Sequence, residues 1–137
     1  MTIFVDTSAW FAAANVKDRH HERASELVRA EPELTTSTFV LVETWLLLQS
    51  KLTFAVAEHF ADYVQAGAAA LEQTTMADLS DARRIGAAFA DQSFSLVDRT
   101  SFAMMERLRI SKVISFDSDF VVYRYGANRE HAFEVLR

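Results

Sequence analysis

The apolar segments of this chain run repeatedly into carboxylates. Ile3-Phe4-Val5 ends on Asp6, Phe94-Ser95-Leu96-Val97 on Asp98 and Val113-Ile114-Ser115-Phe116 on Asp117, while Glu43 directly follows Phe39-Val40-Leu41-Val42. Any fold for this sequence must bury those runs and leave an acid at the margin of each. An ionised carboxylate in such a place costs roughly several kcal/mol unless a positive charge faces it. Of the four acids only Asp98 has a cation beside it in sequence, Arg99. A shared divalent cation with oxygen ligands is the expected counter-charge.

The pattern between the acids is alternating. Thr2–Val5 reads as a short buried strand, followed by a helix over Thr7–Asn15 capped by Asp6 or Thr7. A second helix is predicted over Asp18–Ala30 and stops before Pro32. Leu34–Thr36 is a candidate strand, and Ser37 or Thr38 caps a third helix through about Leu52 that is apolar nearly all round. A fourth helix starts at Thr53 and ends at Gly67, a fifth covers Asp78–Ala90 and a sixth Val97–Leu108. Ala69–Gln73, Lys112–Phe116, Val121–Tyr125 and Phe133–Leu136 are the remaining candidate strands. Strands alternating with helices point to an α/β fold with a short, largely parallel sheet. At 137 residues, with half of them hydrophobic, one Pro and three Gly, residues 1–137 are expected to form a single domain with a sizeable core.

Composition removes several functional classes. With no cysteine there is neither a disulfide framework nor a thiolate metal site. No apolar stretch is long enough to span a bilayer, and Asp6 cuts the N-terminal apolar run too short for a secretory signal, so a cytoplasmic protein is expected. The net charge of −5 is unusual for a nucleic-acid binder, although an acidic metal cluster accounts for up to four of those charges.

Asp6 and Asp117 both follow strands, so both are expected at the carboxyl edge of the sheet, where open α/β folds bind ligands. Glu43 comes from the second turn of the third helix and Asp98 from the start of the sixth. Plain structural roles compete. Asp6 and Asp98 are good helix caps, and Asp117 in Phe116-Asp117-Ser118-Asp119-Phe120 is a good turn former. Glu43 has no such role, because its helix has no polar face and Lys51 lies elsewhere around it. His20 and His21 read as a solvated helix face. Lys17, Arg19, Arg83, Arg84 and Arg99 are candidate phosphate contacts for which ordinary surface charge is the simpler reading. Trp10 and Phe11 are candidates for stacking on a base or for packing, and Met104-Met105 for core.

Val5-Asp6-Thr7-Ser8-Ala9, Val42-Glu43, Asp98 with Ser101-Phe102-Ala103, and Ser115-Phe116-Asp117-Ser118-Asp119-Phe120 occur in an order that resembles the PIN-domain family, most closely the VapC-type toxins of bacterial toxin–antitoxin pairs. The resemblance covers essentially the whole chain. It implies a three-layer α/β/α fold and a Mg²⁺-dependent endoribonuclease, with Mn²⁺ as a substitute. It assigns Asp6, Glu43, Asp98 and Asp117 to the catalytic acidic cluster, with Asp119 as a further metal ligand. Thr7 and Ser101 match polar positions beside the acids. Arg99 departs from the pattern, and pairing with Asp98 would weaken metal binding. The implied partners are an RNA substrate, an antitoxin protein whose tail covers the toxin, and a second copy in a homodimer. Clustered carboxylates with a divalent cation are suited to in-line phosphodiester hydrolysis. Three alternatives stay open: a ribonuclease H-like nuclease, a phosphatase using Asp6 as nucleophile, and a catalytically silent PIN-like binding module. A haloacid-dehalogenase-like phosphatase would want a second aspartate where Ser8 stands.

Overall fold

The computed structural model describes all of residues 1–137. In chain order the elements are β1 (Ile3–Val5), α1 (Thr7–Ala14), α2 (His21–Ala30), β2 (Leu34–Ser37), α3 (Thr38–Lys51) and α4 (Phe54–Tyr63). There follow β3 (Ala70–Glu72), α5 (Met76–Ala88), α6 (Leu96–Leu108), β4 (Lys112–Ile114), α7 (Asp119–Val122) and β5 (Glu134–Leu136). Most helix starts are written in single residues. Asp6, Ser37, Thr53, Thr75 and Ser95 each offer a side-chain oxygen to the amide three residues on, satisfying one of the unpaired N–H groups of a first helical turn.

The five strands form one parallel sheet in the order β3-β2-β1-β4-β5. Parallel neighbours need crossovers, and these are right-handed almost without exception. The chain steps outward through β1, β2 and β3, then crosses back to β4 and β5. The reversal places α1–α4 on one face and α5–α7 on the other, giving three layers. It also makes the gap between β1 and β4 the point where strand order switches. Open α/β sheets bind ligands at that point, beyond the carboxyl ends of the strands.

The sheet centre is apolar on both faces. Phe4, Val5, Val113 and Ile114 are fully buried, as parallel strands covered on two sides must be. Thr36, also buried, accepts from the Trp10 indole N–H at 3.1 Å and donates to the Val5 carbonyl at 2.9 Å, so its hydroxyl is satisfied inside the core. On the opposite face Phe102 stacks on Tyr123 with centroids 4.2 Å apart, and Phe94, Phe120 and Phe133 pack around them. This aromatic block fixes α6 and α7 beneath the carboxyl edge of β4. Each such side chain contributes about 1.5–3 kcal/mol through burial.

Four local expectations are corrected. Val121–Tyr125 is not a strand; residues up to Val122 form α7, and Tyr125 makes only an isolated antiparallel bridge to His131. A short apolar β-branched run fits either state, and here the Asp117 side chain accepting the Asp119 N–H at 2.9 Å starts a helical turn. The second helix begins at His21 rather than Asp18, because the Asp18 carboxylate closes a turn on the His20 N–H. The fifth begins at Met76, set by a capping box between Thr75 and Asp78. Ser95, not Asp98, caps α6.

Candidate metal centre

Asp6 leaves the end of β1 as the cap of α1, so its side chain is aimed by the helix start. Oδ1 accepts from the Ala9 N–H at 3.1 Å and the Ser8 hydroxyl at 2.7 Å, and Oδ2 accepts from Ser115 at 2.8 Å. The cap and the acidic-site readings therefore describe one residue. Burial pushes the Asp6 carboxyl up to about 7, against the hydrogen bonds from Ser8 and Ser115 that favour its charged form, and the nearby Asp117 adds to the rise.

The loop after β4 supplies the next two acids. Ser115 is buried and accepts the Asp117 N–H at 3.1 Å while it donates to Asp6. Asp117 in turn receives the Asp119 N–H at 2.9 Å, so the turn-forming role foreseen for it is also real. This winding points Asp117 and Asp119 back toward the first turn of α6. There a carboxylate oxygen from each of Asp98, Asp117 and Asp119 lies within 4.8 Å of the others.

Burial and mutual repulsion act together on these acids. Burial raises Asp98 to about 8, assisted by a hydrogen bond to Asp119 and by the charges of Asp117, Asp6 and Asp119. Asp119 is also raised, first by burial, although its bond to Asp98 favours the charged form. None of the ion pairs in the molecule involves Asp6, Asp98, Asp117 or Asp119. An all-oxygen donor set with no internal cation fits a hard divalent ion such as Mg²⁺ or Mn²⁺.

Arg99 does not neutralise the site. Its Nε donates to the carbonyls of Phe94 and Ser95 and its Nη1 to that of Ala82, on the α5 side of its helix. Gly86 makes the room, since a Cβ there would collide with the Arg99 guanidinium. Glu43 lies in the second turn of α3, half-buried, with neither a hydrogen bond nor an ionic partner, and it falls outside the Asp98–Asp117–Asp119 group. Its helix starts at the carboxyl end of β2, the neighbour of β1, and so on the same edge of the sheet.

The polar support differs from expectation. Ser101 donates to the Val97 carbonyl within its own helix, and the buried Thr7 hydroxyl has no partner. Ser8 and Ser115 are the hydroxyls that hold Asp6, and sequence reasoning missed both in that role. The available signal was a Ser two residues after the first acid and another two before Asp117. His20 and His21 are not on a solvated face either. His20 stacks on Phe116, and His21 Nδ1 lies 2.9 Å from the Ala12 carbonyl. Trp10 and the Met104–Met105 pair are core.

A PIN domain profile matches residues 3–125. Two relatives from Mycobacterium tuberculosis, the 23S rRNA-specific endonuclease VapC20 of strain CDC 1551 / Oshkosh and that of strain ATCC 25618 / H37Rv, are each 37% identical over 120 residues. That span covers 86% of this chain and 91% of each relative. The crystal structure of Mycobacterium tuberculosis VapC20, described as a sarcin–ricin loop cleaving toxin, superposes with a TM-score of 0.83 at 33% identity. It covers 87% of this chain and 92% of that one. With its strand order, its acids at the switch point and these likenesses in agreement, the chain belongs to the PIN-domain family.

Proposed function

We propose that this protein is a metal-dependent endoribonuclease that hydrolyses RNA phosphodiester bonds as the toxin of a toxin–antitoxin pair. The observation that carries the reading is the uncompensated group of Asp98, Asp117 and Asp119, adjoining Asp6 at the β1/β4 switch point. Relatives similar over most of the chain are RNA endonucleases by name.

Asp98, Asp117 and Asp119 are the direct ligands in this reading, with Asp6 and Glu43 completing the acidic set. A bound Mg²⁺ or Mn²⁺ supplies Lewis acidity and a water of lowered pKa. The chain's own residues orient and exclude. Ser8 and Ser115 lock both oxygens of Asp6, and the Asp117 side chain fixes the turn that carries Asp119. The carboxylates act as holders rather than nucleophiles in this reading, with the oxygens of Asp6 and one of Asp117 already engaged by hydrogen bonds.

Residues 1–137 act as one nuclease domain in this reading, and the protein works in the cytoplasm. No helix is long and apolar enough to cross a membrane. Val42 and Leu46 on α3 and Phe54 on α4 are more than half exposed, which supports a homodimer or an antitoxin covering that face.

The test is cleavage of labelled RNA by the purified chain with Mg²⁺, with Mn²⁺ and with EDTA. Cleavage with either cation, stopped by EDTA and lost in Asp98→Asn, is the expected result. Cation-independent cutting, or turnover of p-nitrophenyl phosphate without RNA cleavage, overturns the assignment.

A further inference from the structure

The connection between α1 and α2 carries Lys17, Asp18, Arg19 and His20, and through His20 it touches the loop after β4 that bears Asp117. The Asp18 carboxylate accepts the His20 N–H at 2.8 Å and fixes the turn. The His20 ring lies flat on Phe116, with centroids 4.5 Å apart and planes within 15°. Arg19 Nε donates to His20 Nε2 at 3.1 Å. Phe116 immediately precedes Asp117, and its own N–H donates at 2.9 Å to Ser8, the hydroxyl that holds Asp6. An unbroken line of contacts therefore joins an exposed guanidinium to the first acid of the site.

Several other arginines are committed elsewhere, and those without a side-chain partner, Arg29, Arg83, Arg109 and Arg137, lie outside the α1–α2 connection. Arg23 pairs with Glu26 and Arg107 with Asp78, while Arg99 and Arg124 bond main-chain carbonyls. Arg19 has no acidic partner, and its Nε bond to His20 leaves both terminal nitrogens without a contact. In a chain of net charge −5, the group of Asp98, Asp117 and Asp119 with Asp6 repels RNA at its edge of the sheet, so a cation beside that edge has a large effect on binding. A guanidinium with two free nitrogens suits the bidentate recognition of phosphate.

We propose that Arg19 binds a backbone phosphate flanking the bond to be cut, and that His20, stacked on Phe116, is the positioning residue that holds it there. The inference rests on the nuclease reading above for its substrate class. It also makes Lys17, exposed in the same loop, a weaker contributor along the same backbone.

The probe is a fluorescent RNA hairpin bearing the sarcin–ricin loop, bound to the full chain carrying Asp98→Asn, with cleavage by the wild-type acids measured in parallel. Arg19→Ala and His20→Ala are each expected to weaken hairpin binding about fivefold or more and to lower the slope of log affinity against log salt by about 0.7, one single-strand phosphate. In cleavage they raise KM by a similar factor and leave kcat within about twofold. The double variant is expected to lose no more than the larger single loss, because one residue acts through the other. Arg23→Ala, which removes the same charge from α2, is the control and leaves affinity unchanged. Unchanged affinity in Arg19→Ala, additive losses in the double variant, an equal loss in Arg23→Ala, or no hairpin binding by the parent overturns the proposal. Binding that depends on Arg19 without any cleavage by the wild type sinks the nuclease reading and leaves the phosphate contact standing.

Discussion

Ser115 donates its hydroxyl proton to Asp6 across the β1/β4 pair at 2.8 Å, and with the same oxygen accepts the Asp117 N–H at 3.1 Å. One buried atom thus orients two acids from segments more than a hundred residues apart in sequence. Ser115→Ala leaves an Asp6 oxygen and a backbone N–H unsatisfied, a loss of about 1–3 kcal/mol in stability. Support of this kind around a metal site is worth about 10- to 100-fold in activity. Urea unfolding and the rate of RNA cleavage check the two effects separately, and Ser115→Thr, which keeps the hydroxyl, is expected to recover part of the rate.

Asp78 and Arg107 form a half-buried ion pair, distant in role from the site. Nε reaches Oδ1 at 2.8 Å and Nη2 reaches Oδ2 at 2.9 Å, tying α5 to α6. Asp78 is fully buried, and burial tends to raise its carboxyl, but the bonds from Arg107 and Thr75 outweigh it and hold the group below its ordinary 3.8. A depressed acid stabilises the fold above its unfolded pKa, and that contribution is lost as pH falls through the lower folded value. Asp78→Ala leaves the guanidinium unpaired and removes the capping box. Because Arg107 is partly exposed, the expected loss is about 2 kcal/mol, less than for a wholly buried pair. The mutant's deficit is expected to be full at pH 6 and to shrink below pH 4, measured by thermal melts across that range.

The alternation of strand and helix was legible because caps and apolar runs are local signals. Ser37, Thr53 and the Lys112–Ile114 run behave as their neighbours in sequence suggest. Strand-end logic pointed to Asp6 and Asp117 and the family resemblance added Glu43, Asp98 and Asp119; of these the structure brings Asp98, Asp117 and Asp119 into one close group. What could not be read is how hydroxyls are shared across the sheet. Ser8 sits two residues from Asp6, but nothing local to Ser115 says that it would meet the same carboxylate, since that contact depends on β1 and β4 being neighbours. The fate of Arg99 was hidden for the same reason, because its partner carbonyl at Ala82 belongs to another helix. Val121–Tyr125 misled because composition favoured a strand while one side-chain bond from Asp117 started a helix.

Glu43 stands apart from the close group of acids, so its substitution should separate ligands from bystanders. Glu43→Gln is expected to lower cleavage by about 10- to 100-fold, as for a residue acting on the ligands at one remove. Asp98→Asn is expected to lower it by more than about a thousandfold. Steady-state rates across a Mn²⁺ titration distinguish the two, since Glu43→Gln should regain activity at high cation concentration and Asp98→Asn should not. Equal, unrescuable losses would place Glu43 among the direct ligands.

Asp6 and Asp98 make the metal-free protein sensitive to pH in the opposite sense to Asp78. Their carboxyls are raised from 3.8 to about 7 and about 8, mainly by burial. A group whose folded pKa lies above its unfolded value stabilises the fold while protonated. The contribution is complete below about pH 4 and is lost as pH rises through 7 to 8. In EDTA the melting temperature is therefore expected to fall between pH 5 and pH 8.5, by about 5 °C or more. Asp98→Asn carries no ionising group there, so its curve should fall less and lie above the wild type at pH 8.5. Millimolar Mn²⁺ is expected to restore the wild type most strongly at that pH and to do little for Asp98→Asn, because the cation binds the charged acids and competes with their protons. A metal-free melting curve flat from pH 5 to pH 8.5 would mean that the acids already have a counter-charge within the fold, contrary to the site described above.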